Sequence, residues 1–321
     1  MPVNTTASPQ TTLISVVICT RNRAALLGKA LESVVTQDFP KTDYEIVIVD
    51  NGSTDSTSEC AAEFKEKAMV HYIREPHAGL CIARNTGWRN ASGRYVAFFD
   101  DDALALPGWL AAVRNGFELD TARDIGVIGG RVKPMWEQPR PGWLADPIAN
   151  SLTIVDWGPS PKRIHDIRSE WLVGTNMAVP KRLLTEVGGF HPALDRIGNN
   201  LLSNGDILLQ KELMRRGHSC WYVPDMAVNH LVPASRLTQA WFRRRFFWQG
   251  VSDAVMQIIE KKPSAAQRIK FALVRSMVMM SAPLTLASLL GPTTRPEQFT
   301  AKCLALVEIG FLAGILGIVR G

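Results

Sequence analysis

Residues 13–50 read LISVVICTRNRAALLGKALESVVTQDFPKTDYEIVIVD. The stretch begins with a short, continuous, β-branched run at 13–20, the pattern of a strand buried on both faces. Apolar residues at helical spacing follow over 24–37, and EIVIVD at 45–50 is a second buried strand. Strand, helix and strand in this order predict a right-handed βαβ unit with parallel strands.

The alternation continues outward from that unit. NGSTDST at 51–57 reads as a turn with helix-capping residues before a further helix. HYIRE at 71–75 is the next strand, and 79–91 the next helix, closed by Ser92-Gly93. YVAFFD at 95–100 is a fourth strand, and a helix at 107–120 and a strand at 125–132 complete the series. These residues predict an α/β fold with a doubly wound, mostly parallel sheet. In such sheets ligands bind beyond the carboxyl ends of the strands. Thr20-Arg21, Asp50 and Asp100–Asp102 each stand at such an end, so three strands deliver polar groups to one edge.

Asp100, Asp101 and Asp102 close an apolar strand with three like charges. Two carboxylates about 5 Å apart at an effective dielectric of ~20 repel by roughly 3 kcal/mol. Water, a helix N-terminus or a divalent cation offsets that. Residues i and i+2 of an extended chain face the same way, so Asp100 and Asp102 converge while Asp101 turns aside. Two hard oxygen ligands suit Mg²⁺ or Mn²⁺, ions that are commonly shared with substrate phosphates. An acidic triplet by itself reads equally as a helix cap or a solvated turn. Its place at the fourth strand end favours metal.

The chain has 321 residues, enough for a substantial core and two subdomains. A net charge of +6 makes acidic partners plausible. No zinc-finger, P-loop or G-x-G-x-x-G pattern stands in a suitable context, so nucleic acid is not expected. The five cysteines are scattered, without C-x-x-C spacing, which fits a reducing compartment rather than disulfides or zinc. Residues 1–12 are polar and read as a flexible tail, not a signal peptide.

From 133 to 170 the pattern lapses into a long loop rich in proline and tryptophan, and long loops are often functional. Regular structure returns at 171–180 and 181–190, with Gly188-Gly189 as a turn. An amphipathic helix is expected at 206–217, a strand and its exit at 220–230, and a long helix at 236–262. Arg243-Arg244-Arg245 stands among aromatics there, as at a membrane interface or a lipid-linked diphosphate site, or as a solvated face. Trp136, Trp143 and Trp171 suit sugar stacking, with core packing the commoner role. Two apolar runs follow at 271–290 and 303–319, each near the ~20 residues that span a bilayer. Lysines and arginines flank them, as in a helical hairpin with both ends on the cytoplasmic side. The alternative is a helix pair that covers the domain or lies flat on a membrane.

ISVVICTRNR, EIVIVDNGSTD, GLCIARNTGW and YVAFFDDDALALPGWL, in this order, resemble the nucleotide-binding half of family 2 inverting glycosyltransferases. Looser similarity continues through GTNMAVPKRLLTEVGGF and GDILLQKELMRRGHSCWYVPDMAVNH. The resemblance implies a GT-A fold and a nucleotide-diphosphate sugar donor, with UDP or dTDP favoured. Residues 13–134 would form the donor half, 135–262 the acceptor-binding half, and 263–321 a membrane-associated apolar hairpin. Thr20 and Arg21 would line the base pocket, Asp50 would bond uracil or ribose, and Arg84 would lie beside the nucleotide. Asp100 would contact the ribose or a metal-bound water, with Asp101 beside it on the donor. Asp102 would ligate the metal. His230 matches a position that in some GT-A enzymes adds a metal or diphosphate contact, though a histidine at a strand exit is also a common cap.

Inversion in one displacement needs a carboxylate base. The family places it in an acidic Glu-Asp motif at a helix start. Here Gly205 replaces the Glu and Leu208 stands where a second acid is frequent, so Asp206 is the one remaining carboxylate. Its other reading is a first-turn acid that favours the helix dipole by roughly 0.3–1 kcal/mol. The resemblance implies transfer to a glycan or lipid-linked acceptor in bacterial cell-envelope or exopolysaccharide biosynthesis, at the cytoplasmic face of the plasma membrane. Two rivals stand beside it. A nucleotidyltransferase would need a Gly-rich basic loop after the first strand, which CTRNRAALL lacks. A non-catalytic, membrane-tethered nucleotide-binding scaffold draws on the altered Gly205-Asp206 motif.

Overall fold

The computed structural model describes residues 12–119, 124–198, 200–281, 288–291 and 293–319. Most of the expected tail and residues 282–287 of the first apolar run lie outside them. The α/β fold is as expected. The first half runs β1 (Ile14–Thr20), α1 (Ala24–Val35), β2 (Tyr44–Asp50), α2 (Thr57–Ala62), β3 (Val70–Arg74), α3 (Leu80–Asn90) and β4 (Tyr95–Asp100). It continues through β5 (Ala103–Ala105), α4 (Trp109–Gly116) and β6 (Ile125–Trp136). The second half adds α5 (Asp146–Ala149), β7 (Lys162–Ile164), β8 (Asn176–Pro180), α6 (Lys181–Val187), α7 (Gly205–Arg215) and β9 (Ser219–Val232). Long helices follow among the described residues: α8 (Gln239–Lys261), α9 (Ala265–Ser281) and α10 (Pro296–Ile315).

The nine strands form one sheet in the order β3-β2-β1-β4-β8-β6-β9-β5, with β7 on β9. The long ladders are parallel, β1 with β2 and β4 and β6 with β9, whereas β8, β5 and β7 enter antiparallel. β1 and β2 are almost wholly buried, which explains why they read as unbroken apolar runs. Register sets the strand ends side by side: Thr20 lies opposite Asp50, and Cys19 opposite Asp100.

The expected loop at 133–170 contains more order than its sequence suggests. β6 continues to Trp136, and α5 and β7 follow. Gly188 and Gly189 both hold positive φ after α6, the turn expected there. Asp195 ties the halves together: its two carboxylate oxygens accept the Cys81 and Ile82 N–H groups at 2.9 and 3.0 Å, capping α3. All five cysteines are free.

The C-terminal helices depart from the simple hairpin. α9 starts before the apolar run, and α10 starts within the segment expected to separate the two runs. α10 is the one helix among the described residues long and apolar enough to cross a bilayer. It packs closely on α8 through glycines. A Cβ at Gly310 would lie 1.9 Å from the Phe247 carbonyl oxygen, and one at Gly250 would lie 1.9 Å from that of Val307. The Arg275 guanidinium joins α9 to Glu308 of α10. Ile269, Leu273, Val274 and Met277 of α9 remain exposed. Gly310→Val is expected to destabilise the fold by about 3 kcal/mol, because the clash is with backbone. Denaturant unfolding checks this against Gly142→Ala, where no atom lies within 4 Å of a new Cβ and stability should hold.

Candidate active site

Asp100 and Asp102 converge as their i, i+2 spacing requires, and β9 brings His230 to meet them. Ligand atoms of Asp100, Asp102 and His230 all lie within 4.8 Å of one another. The reason is local pairing. The short strand β5 runs beside β9 with Ala103 opposite His230, and the Leu231 N–H donates to the Asp102 carbonyl at 2.9 Å. His230 is therefore not a cap at a strand exit. It sits inside β9, 3% exposed, between Ala103 and Pro134.

His230 Nε2 lies 3.2 Å from Asp102 Oδ1, while its buried Nδ1 has no partner among the described residues. A buried polar atom without a partner costs about 1–3 kcal/mol. Two carboxylates and an imidazole form a donor set that suits Mn²⁺, and also Mg²⁺ where phosphate oxygens join. The residues present therefore fit a divalent cation.

Asp101 turns aside, as expected, and accepts hydrogen bonds from Thr20 Oγ1 at 2.8 Å and Arg23 Nη1 at 2.9 Å. Arg23 also reaches Asp102 Oδ2 at 3.1 Å. The two carboxyls titrate in opposite directions. Burial pushes Asp101 up to about 6, against the Arg23 charge. Burial would also raise Asp102, but the hydrogen bond and charge of His230, with Arg236 and Arg23, hold it at about 2.

The signs give a test in metal-free protein. Between about pH 4 and 6 the native Asp101 keeps a proton that the unfolded chain has lost. Stability attributable to it therefore falls as pH rises through that window, by about 3 kcal/mol. Asp102 acts oppositely: its stabilisation is present above about pH 4 and is lost as pH falls toward 2. Asp101→Asn should flatten the slope between pH 4 and 6 in chelator-treated denaturant titrations. A slope equal to that of the wild type would contradict this placement of Asp101.

Arg84 of α3 pairs with Asp100 at 3.1 Å, and Thr175 Oγ1 donates to the other Asp100 oxygen at 2.5 Å. Burial would lower the Arg84 pKa, yet the Asp100 and Asp206 charges raise it. The Gly174 N–H donates to Asp206 Oδ2 at 2.9 Å. Two consecutive residues, Gly174 and Thr175, thus link the expected base to the acidic cluster. A Cβ at Gly174 would lie 2.5 Å from Arg84 Nη1 and would displace that guanidinium. Asp206 stands in the first turn of α7, half-buried, facing the cavity.

A cavity of about 820 Å³ contains Thr20, Arg21, Arg84, Asp100–Asp102, Asp206 and His230 on its walls. Asp50 stands apart from these. It is 2% exposed, and its oxygens accept the Ser53 N–H at 2.7 Å and the Tyr72 hydroxyl, so it secures the turn after β2. Its neighbour Asn51 is the residue that reaches the cavity. Of the three expected tryptophans, Trp171 lines the cavity, whereas Trp143 packs on Phe242 and Phe299. The arginine triplet splits: Arg243 and Arg244 are exposed, and Arg245 lines the cavity. Arg23, Thr175, Arg196 and Arg236 are further polar residues of this cavity that the sequence did not single out. Arg23 alone carried a signal, standing two residues beyond Arg21 at the same strand end.

An acidic cluster and a facing carboxylate on one cavity, at the strand ends of a GT-A-type sheet, are what this geometry defines. Residues 15–177 match the family model described as glycosyl transferase family 2, and the chain belongs to that family. Glycosyltransferase AglE of Haloferax volcanii is 29% identical over 233 residues, 72% of this chain and 71% of AglE. The glucosyl-dolichyl phosphate glucuronosyltransferase of the same organism is 26% identical over 255 residues, 78% and 79% of the two chains. The fold resembles that of the mannosyltransferase PcManGT from Pyrobaculum calidifontis in complex with GDP-Man and Mn²⁺. The TM-score is 0.61 at 20% identity, covering 96% of this chain and 89% of that one. S. aureus TarS 1-349 in complex with UDP gives a TM-score of 0.54 at 17% identity, over 94% and 91%. The protein is a glycosyltransferase.

Proposed function

We propose that the chain transfers a sugar from a nucleotide diphosphate to an acceptor hydroxyl with inversion, in a metal-dependent reaction. The carrying observation is the Gly174-Thr175 link, which holds Asp206 and the Asp100–Asp102–His230 cluster on one cavity. Asp102 and His230, with Asp100 beside them, would hold a divalent cation, Mn²⁺ or Mg²⁺. When bound, that cation supplies Lewis-acid stabilisation of the diphosphate leaving group. Thr20, Arg21 and Asn51 face the nucleotide, and Arg84 fixes Asp100 while adding positive charge. Asp50 acts through the turn it holds, a positioning role. Asp206 accepts the proton of the acceptor hydroxyl as that oxygen bonds to the anomeric carbon and the bond to the diphosphate breaks.

UDP or dTDP is our reading for the nucleotide, and GDP is the alternative that the GDP-Man-bound neighbour supports. The acceptor is a glycan or a lipid-linked intermediate, the latter supported by the name of the dolichyl phosphate relative. α10 and the exposed apolar face of α9 support membrane association. Our reading puts the enzyme at the cytoplasmic face, in cell-envelope or exopolysaccharide synthesis. Family membership and the retained carboxylate weigh against a non-catalytic scaffold.

Real-time proton NMR of the full chain with a panel of nucleotide sugars and Mn²⁺ tests this reading. The sugar first released to water from the accepted donor should carry the opposite anomeric configuration. Retained configuration, or no turnover of any donor, would overturn it.

A further inference from the structure

Charge along the cavity exceeds what a nucleotide-sugar donor needs. Seven arginines, one lysine and five aspartates line it, with Arg168 and Lys211 paired to Asp166 and Glu260 beside it. A divalent cation and the donor's diphosphate cancel one another, so the positive surplus persists with the donor bound. Its arginines divide into two groups. Arg236 lies 3.9 Å from Asp102 Oδ2 and belongs with the donor. Arg196 and Arg245 line the same cavity as Asp206, whose charge acts on both, and the Arg236 charge reaches both as well.

Arg245 is the more telling of the two. Its Nη1 is closed off from solvent and has no hydrogen-bond partner among the described residues. Burial and the like charge of Arg196 push its pKa down to about 9. Asp253 acts on it through space; its Oδ1 accepts from Asn204 Nδ2 at 2.7 Å and Gln249 Nε2 at 2.9 Å, and Arg245 Nη1 donates to neither of its oxygens. Arg196 is anchored through its Nε, which donates to the Leu202 carbonyl at 2.7 Å. It remains open to the cavity, while surrounding protein and the Arg236 charge lower its pKa. Two guanidinium groups on one cavity, one with a buried unmatched donor, form a costly arrangement unless an anion joins them. Guanidinium forks match phosphate oxygens in pairs.

We propose that Arg196 and Arg245 form a phosphoryl subsite, and that the acceptor carries a phosphate or diphosphate ester close to its attacking hydroxyl. This rests on the reading of Asp100–Asp102 as the donor end. The wall at the subsite is α8, which contributes Arg245, Phe246, Gln249 and Met256 and packs on α10. A phosphoryl group at the head of a lipid, or one on a soluble ester, presents the same chemistry to these two arginines.

Isothermal titration of the full chain with inorganic phosphate tests the subsite. It is run twice: on nucleotide-free protein, and on protein filled with Mg²⁺ and the nucleoside diphosphate that binds. Phosphate should bind in both states. Arg245→Gln and Arg196→Gln should each weaken it at least tenfold while nucleotide affinity stays within twofold. Arg245→Lys, which keeps the charge but loses the fork, should lose less and serves if the Gln variant misfolds. Phosphate affinity unchanged in the variants would overturn the proposal. Failure of every nucleotide to bind the wild type would instead overturn the donor reading, and the nucleotide-free titration would still judge the subsite. Decyl phosphate binding more tightly than inorganic phosphate would assign the group to a lipid, and equal affinity would assign it to a soluble ester.

Discussion

Asp206→Asn is expected to lower kcat by about 10²–10⁴-fold, the contribution typical of a positioned general base. Nucleotide affinity should stay near the wild-type value, because the proposed role puts Asp206 on the acceptor and leaves the Asp100–Asp102–His230 cluster intact. The substitution is structurally mild. Asn retains an oxygen to accept the Gly174 N–H, now held at 2.9 Å, so the link to Thr175 survives. The competing role makes a different forecast. A carboxylate that only favours the dipole of α7 would cost roughly 0.3–1 kcal/mol of stability and leave turnover intact. Steady-state kinetics beside thermal unfolding separate the two. Normal turnover with lowered stability would remove Asp206 from the mechanism and revive the scaffold reading.

Asp102→Asn carries the second large effect, a fall in transfer of about 10²–10³-fold, as expected when a group that stabilises developing charge is lost. Its charge is what matters. His230, Arg236 and Arg23 hold the Asp102 carboxyl near 2 against burial, so it is ionised throughout the neutral range. Asn keeps hydrogen-bond acceptance from His230 but offers a neutral, weaker metal ligand. Mn²⁺ binding followed by electron paramagnetic resonance should weaken in step with activity. An active variant with wild-type Mn²⁺ affinity would place the cation elsewhere.

Much of the donor half was legible because buried parallel strands announce themselves. The βαβ run at 13–50 fixed the direction of β1 and β2, and hence the edge where Thr20 and Asp100–Asp102 would emerge. Convergence of Asp100 and Asp102 follows from the period of an extended chain. Asp50 shows the limit of that reasoning. A strand end locates a residue, but whether its carboxylate faces the ligand or the following turn depends on Ser53 and Tyr72, which only the fold brings near. His230 was found by motif, yet its burial depends on β5, three residues with no periodic signature. Thr175 escaped notice for a related reason: it meets Asp100 across 75 residues of sequence. Arg245 was read only as one of an arginine triplet, and which of the three enters the cavity depends on the fold. The largely apolar helix α10 gave no clear periodicity to reveal its partner, and the glycines that seat it on α8 read only as composition.

The central claim is that one nucleoside diphosphate and one divalent cation share the Asp100–Asp102–His230 end of the cavity. Calorimetric titration of the full chain with UDP, dTDP, GDP and CDP, each with and without Mn²⁺, tests it most directly. The account predicts that one nucleotide binds, and that its affinity falls at least tenfold when the metal is chelated. Nucleotide binding that is indifferent to the metal, or absent for all four in folded protein, would contradict it.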